Sequence, residues 1–193
     1  MDKKTLIKTS AYDLFISSDF ELASVNQIVA KAQVAKGTYY LYYKTKEEVY
    51  LDILYDFYQK WFEHINNELI NTSSIDSFLK ELVKSFTKDT KFLELLSRAS
   101  LILEKNITKE IIYPFKKGHQ DDLLNLSKNI ANHFKRDIKE TTQNLLMTYT
   151  YIIGLYQTSK LPATLDTKEL NSLSQTRLDF ELEVDKFIKL IWR

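Results

Sequence analysis

The chain of 193 residues contains no cysteine, which excludes a disulfide framework, a thiolate metal site and a cysteine nucleophile. That composition suits a reducing compartment, and a cytoplasmic location is expected. Three glycines and two prolines are too few for the hairpins and strand-to-helix turns of a sheet-rich fold. No apolar run approaches the roughly 18 residues of a membrane span, and Met-Asp-Lys-Lys leads straight into an amphipathic segment without the apolar core of a signal peptide. A soluble protein with no membrane partner is therefore expected. His64, His119 and His133 lie far apart and in no metal-ligand spacing. No glycine-rich phosphate loop is present, and the adjacent carboxylates Glu47-Glu48 and Asp121-Asp122 point to different sides of a helix. No catalytic residue, metal or cofactor is assigned, and enzymatic activity is not expected. Arginine is absent before Arg98.

What is present is ample core material, 44% hydrophobic and 13% aromatic, arranged at helical rather than alternating spacing. Net charge is only +1, but the first 46 residues hold seven lysines against four carboxylates, or +3, leaving −2 for the remainder. The most informative stretch runs from Ser24 to Glu48. Ser24 with Gln27, and Thr45 with Glu48, have capping-box spacing and place helix starts near Val25 and Lys46. Val25, Ile28, Val29 and Ala32 form one apolar face, leaving Asn26, Gln27 and Lys31 on the other. Gln33-Val34-Ala35 is long enough only for a turn. Lys36 to Tyr43 then forms a second short helix, with Tyr39 and Tyr43 one turn apart on its core side. This is helix-turn-helix spacing, in which the second helix enters the DNA major groove by its N-terminal residues.

The run A-Q-V-A-K-G-T-Y-Y-L-Y-Y-K-T-K-E, together with Ser10-Ala11-Tyr12-Asp13-Leu14-Phe15 and Ala23-Ser24-Val25 upstream, resembles the DNA-binding domain of the tetracycline-repressor (TetR) family of bacterial transcription regulators. The resemblance implies that Asn26, Lys36, Gly37 and Thr38 face bases while Ser24, Tyr40, Tyr42 and Lys46 hold phosphates. Asn26 or Gln27 suits adenine, Lys36 can read guanine, and tyrosine or threonine can touch thymine methyls. With no arginine to fork onto guanine, an A·T-leaning operator is expected. The sequence departs from the family pattern at Ser17-Ser18-Asp19, where a glycine is common before the second helix, at Leu41, where a histidine is common, and at two further positions. Gln33 replaces the turn glycine, so a non-glycine residue must adopt positive φ, and Ala35 replaces the serine that caps the second helix.

Apolar periodicity predicts further helices from Lys3 to Ser17, from Lys46 to about Asn71, from Ser74 to Thr87, from Lys91 to Lys105 and from Thr108 to Phe134, the last bent or started near Pro114. A helix through Leu145 to Tyr156, a loop from Thr158 to Thr167 holding Pro162, and a final apolar segment from Leu170 to Ile191 complete the chain. The fold class is all-α, with a helix-turn-helix DNA-binding domain at 1–46 and a helical effector-binding and dimerisation domain at 47–193. The two last apolar segments suggest a homodimer joined as a four-helix bundle, which the resemblance also implies, through Tyr149, Ile152, Tyr156, Phe180, Val184, Phe187 and Ile191. The family's C-terminal domain holds a small-molecule effector, and the candidates here, each carrying an aromatic, apolar or polar group, are Phe92, Leu96, Ser100, Tyr113, His119, Tyr149, Ile153 and Gln157. The expected function is a ligand-responsive repressor that binds an inverted-repeat DNA operator as a homodimer and is released by an effector. The alternative is a helical small-molecule-binding module without DNA-binding function.

Overall fold

The computed structural model describes residues 2–18, 20–88, 90–103, 106–160, 166–172 and 178–193. Every regular element among them is helical, as the periodicity predicts. In chain order these are α1 (Lys3–Ser17), a single 3-10 turn (Phe20–Leu22), α2 (Val25–Ala32), α3 (Lys36–Tyr42), α4 (Lys46–Asn71) and α5 (Ile75–Thr87). There follow α6 (Thr90–Leu103), α7 (Lys109–Phe134), α8 (Ile138–Ser159), α9 (Thr167–Ser172) and α10 (Phe180–Ile191).

Most of the predicted boundaries stand, because they rest on caps. Asp2 accepts the Thr5 amide at the head of α1, Ser24 and Gln27 form the complete reciprocal box at α2, and Ser74 starts α5 with a box of its own closed by Ser77. Pro114 lies inside α7, which starts ahead of it where Thr108 accepts the amides of Ile111 and Ile112. The 3-10 turn at Phe20 escaped the sequence reading, since three residues carry no period. The final apolar segment is α9 and α10 rather than one run. Pro162 of the expected loop lies outside the described residues, as does Leu173 of that segment.

The chain divides into two compact units, Met1–Trp61 with Glu94–Gln120, and Phe62–Leu93 with Asp121–Arg193. In the first, α1 packs on α2 and α3, and Phe15, Phe20 and Tyr50 form a triangle of rings with centroids 5.0 to 5.6 Å apart. Such ring pairs add about 0.5–1.5 kcal/mol each beyond their buried area. The Tyr50 hydroxyl donates to the Leu95 carbonyl. Arg98, itself paired with Glu94, donates to the Phe15 carbonyl at 3.1 Å, placing a cation at the negative end of α1.

The second unit is built on α5, α8 and α10. Phe78, Leu79, Leu82 and Phe86 form the buried face of α5. Tyr151 stacks on Phe187 at 3.9 Å, Tyr156 meets Phe180 edge-on at 5.7 Å, and the Trp192 indole donates to Thr148 Oγ1 at 2.9 Å. The residues expected at the dimer contact differ in how far this packing covers them. Ile152 and Val184 are 0% exposed and Tyr156 is buried within the single chain, while Tyr149, Phe180, Phe187 and Ile191 are half-buried. Each helix has a second apolar face. Leu146 and Met147 are exposed on α8, and Leu182 and Leu190 on α10.

Candidate nucleic-acid interface

The geometry of α2, the turn and α3 follows from four local interactions. At the end of α2, Gln33 takes φ 53° and ψ 42°, the left-handed conformation that favours glycine. The Val34 amide returns to the Val29 carbonyl at 3.1 Å and the Gln33 amide to Ala30 at 3.2 Å, a Schellman closure made without glycine. Ala35 opens α3 with no side-chain cap. Tyr39 is fully buried and donates to the Thr45 carbonyl at 2.9 Å. Tyr43 is buried and donates to Asp52 Oδ2 at 2.5 Å, which fixes the far end of α3 to α4. Burial, together with nearby acids, pushes both phenol pKa values far above their usual range, so both remain donors.

With Tyr39 and Tyr43 inside, the opposite side of α3 faces outward. Lys36 and Gly37 are exposed, Tyr40 is 50% and Tyr42 44% exposed, and Thr38 is half-buried. Ser24, Asn26 and Gln27 are exposed at the head of α2. Ser24 and Gln27 are also engaged with each other, the Ser24 amide donating to Gln27 Oε1 at 2.8 Å. At the start of α4 the expected box is half formed. Thr45 Oγ1 accepts the Glu48 amide at 3.3 Å, but Glu48 reaches back to the Lys44 amide, one residue earlier than a box requires.

Lys46 has a structural role that its charge alone did not reveal. Its ammonium donates to the carbonyls of Phe20, Glu21 and Ala23 at 2.8, 3.3 and 3.0 Å and lies 4.4 Å from the Phe20 ring centroid. It therefore clamps the 3-10 turn that leads into α2. Other lysines are also paired inside this unit. Lys4 and Lys8 reach Asp52 at 2.8 and 3.1 Å, Lys8 reaches Asp56 at 2.5 Å, and Lys31 pairs with Asp13 at 3.2 Å. Burial pushes the Asp52 pKa up, but hydrogen bonds from Lys4, Tyr43 and Lys8 outweigh it and hold the carboxyl below its usual range. Exposed Lys36 and Lys44 are in no ion pair among the described residues. Lys44, and Leu41, which is 81% exposed on α3, lie outside the set that the resemblance assigns to DNA. The available signal was position on the helix, since Leu41 falls opposite the two core tyrosines.

Residues 7–53 match the profile of the bacterial regulatory proteins of the tetR family, and residues 56–193 that of the tetracyclin repressor-like C-terminal domain. The chain belongs to the TetR family. It is 24% identical over 186 residues to YuxN of Bacillus subtilis, an uncharacterized HTH-type transcriptional regulator, covering 92% of this chain and 62% of that protein. It is 29% identical over 116 residues to the HTH-type transcriptional regulator QacR of Staphylococcus aureus, covering 60% of this chain and 51% of QacR. The chain thus spans under two thirds of the length of either relative. Among solved structures, the fatty acid degradation regulator FadR of Bacillus halodurans shares the fold with a TM-score of 0.65 at 18% identity, covering 99% of this chain and 95% of that one. FadR of Bacillus subtilis, solved with stearoyl-CoA, gives 0.60 at 15% identity, covering 97% and 96%.

In this TetR-family chain the effector candidates fall in both units. Leu96, Ser100, Tyr113 and His119 belong to the first, and Phe92, Tyr149, Ile153 and Gln157 to the second. Phe92 and Leu96 are buried, Phe92 lying parallel to Phe86 at 6.3 Å. His119 is half-buried with its ring 4.2 Å from that of Tyr58. Ser100, Tyr113 and Gln157 are exposed, and Tyr149 and Ile153 half-buried. A groove of about 500 Å³ in the first unit is lined instead by Tyr42, Tyr43, Tyr55, Pro114 and Phe115, among others. No helix among the described residues is long and apolar enough to cross a membrane.

Proposed function

We propose that this protein is a ligand-responsive, sequence-specific DNA-binding transcriptional regulator, a cytoplasmic repressor without enzymatic activity. The observation that carries the reading is the outward face of α3. Gly37, Tyr40 and Leu41 are exposed on a helix whose other side is locked by Tyr39 and Tyr43, and Lys36 is exposed at its leading end. This is the arrangement that a recognition helix needs to enter a major groove. Asn26, Gln27, Lys36, Gly37 and Thr38 are assigned to bases, and Ser24, Tyr40 and Tyr42 to phosphates. Lys46 acts on DNA chiefly by positioning α2, its ammonium being held by three carbonyls.

The functional division is a DNA-binding domain at 1–46 and an effector-binding and dimerisation domain at 47–193. The homodimer forms through the outer faces of α8 and α10. Leu146, Met147, Thr150 and Gly154 fall within about 100° of arc on α8. A Cβ built on Gly154 meets nothing within 4 Å inside the chain, which leaves room for a neighbouring helix. The likeness to FadR with stearoyl-CoA, though it extends only to the fold, makes an acyl-chain compound a reasonable first effector to try.

The test is selection of bound sequences from random duplex DNA by the purified protein, followed by footprinting. An enriched inverted repeat rich in A·T, protected by a dimer, is expected. Recovery of no common sequence from a folded protein would overturn the reading.

A further inference from the structure

The structure gives Leu41 no role inside the chain. At 81% exposure it is the most exposed large apolar side chain among the described residues, and it stands on the seven-residue α3. At about 100° per residue, Leu41 points roughly 180° away from the midpoint of Tyr39 and Tyr43, straight outward. Gly37 precedes it by one turn on the same line. A Cβ on Gly37 would meet nothing within 4 Å, and its φ is not positive. Neither packing nor backbone conformation within the chain calls for glycine there, although glycine weakens a helix. The outward line of α3 is thus a bare first turn followed by a protruding isobutyl group, a profile that fits a surface lying close against the helix.

Leucine has no donor or acceptor, so it can neither hold a phosphate nor pair with a polar base edge. Of the groups that the four bases present in the major groove, the thymine C5-methyl is the apolar one. We infer that Leu41 reads a thymine methyl in each half-site, adding a specificity-determining contact to the polar ones of Asn26, Lys36 and Thr38. This inference rests on the DNA-binding reading above. The A·T lean expected from the missing arginines then has a positive cause as well.

The experiment uses the selected operator with thymines replaced one at a time by deoxyuridine, which differs only by the methyl group. Binding of the wild-type protein and of Leu41→Ala is measured by fluorescence anisotropy. At one position in each half-site, loss of the methyl should weaken wild-type binding about fourfold, the worth of one buried methyl-sized group. Leu41→Ala should bind the thymine operator more weakly by a similar factor and be indifferent to uracil at that position. Its melting temperature should be unchanged, because the side chain is almost wholly solvated. Indifference of the wild type to uracil everywhere would overturn the inference, as would full methyl dependence in Leu41→Ala. Equal weakening of the variant on all duplexes would assign Leu41 to the sugar-phosphate backbone and overturn it too. In those three cases the operator is still bound and the regulator reading survives. Failure of the wild type to bind any duplex would remove both.

Discussion

Replacing Asp52 by asparagine tests how the recognition helix is held. Asp52 accepts from the Tyr43 hydroxyl at the end of α3 and pairs with Lys4 and Lys8 of α1, so one half-buried carboxylate joins three helices. A hydrogen bond to a charged acceptor contributes about 1.5–3 kcal/mol, against about 0.5–1.5 kcal/mol for the neutral bond that asparagine can still accept from Tyr43. The lysine pairs are partly solvated and add about 0–1 kcal/mol each. Asp52→Asn should therefore cost about 2 kcal/mol at pH 7, measured by urea unfolding with circular dichroism. Because the folded-state pKa of Asp52 is depressed, its contribution is fully present above the unfolded carboxylate value of roughly 3.9 and is lost as pH falls through the lower folded value. The gap between wild type and Asp52→Asn should accordingly stay constant from pH 7 to 5 and narrow below about pH 4. Tyr43→Phe should reproduce part of the loss, and the double variant should lose less than the sum of the two. A loss below about 0.5 kcal/mol, or a gap that widens on acidification, would refute the reasoning.

Gln33→Gly relieves a left-handed residue and should raise stability by up to about 1 kcal/mol in the same unfolding assay, with operator affinity unchanged. Lys46→Met removes the donor set that holds the Phe20, Glu21 and Ala23 carbonyls, so the melting temperature should fall along with DNA affinity; a loss of affinity at constant melting temperature would mean that Lys46 acts on phosphate alone. Lys36→Ala should leave the melting temperature alone and lower the salt dependence of operator binding by about one contact. On the proposed interface of α8 and α10, the wild type should sediment as a dimer and Met147→Glu as a monomer in analytical ultracentrifugation, whereas a dimer that persists in the variant would place the interface elsewhere.

The helix-turn-helix was legible because short-range chemistry specifies it. Ser24 and Gln27 cap each other, Gln33 sits where positive φ is required, and the spacing of Tyr39 and Tyr43 leaves them only the core side. Which apolar face meets a second copy is not legible. Ile152 and Val184 recur at helical spacing, but periodicity identifies an apolar face without saying whether its partner is the same chain or another. The resemblance assigns Lys46 to a phosphate, because sequence shows a charge and not the three carbonyls that fold around it. Lys4 and Lys8 were counted toward the basic end for the same reason, since Asp52 and Asp56 are distant in sequence. The effector site was hardest, because lining residues come from several helices and share no spacing.

The pairing of Lys4, Lys8, Lys31 and Lys46 has a consequence for behaviour in a cell. Attraction to arbitrary DNA grows with the number of available cations, and a chromosome offers on the order of a million or more competing sites. A regulator that keeps most of its amino-terminal lysines occupied internally leaves the bulk chromosome a poor sponge for it. On the proposed DNA-binding function, a modest copy number would then suffice to keep the operator filled, and discrimination would fall to the few side chains assigned to base edges.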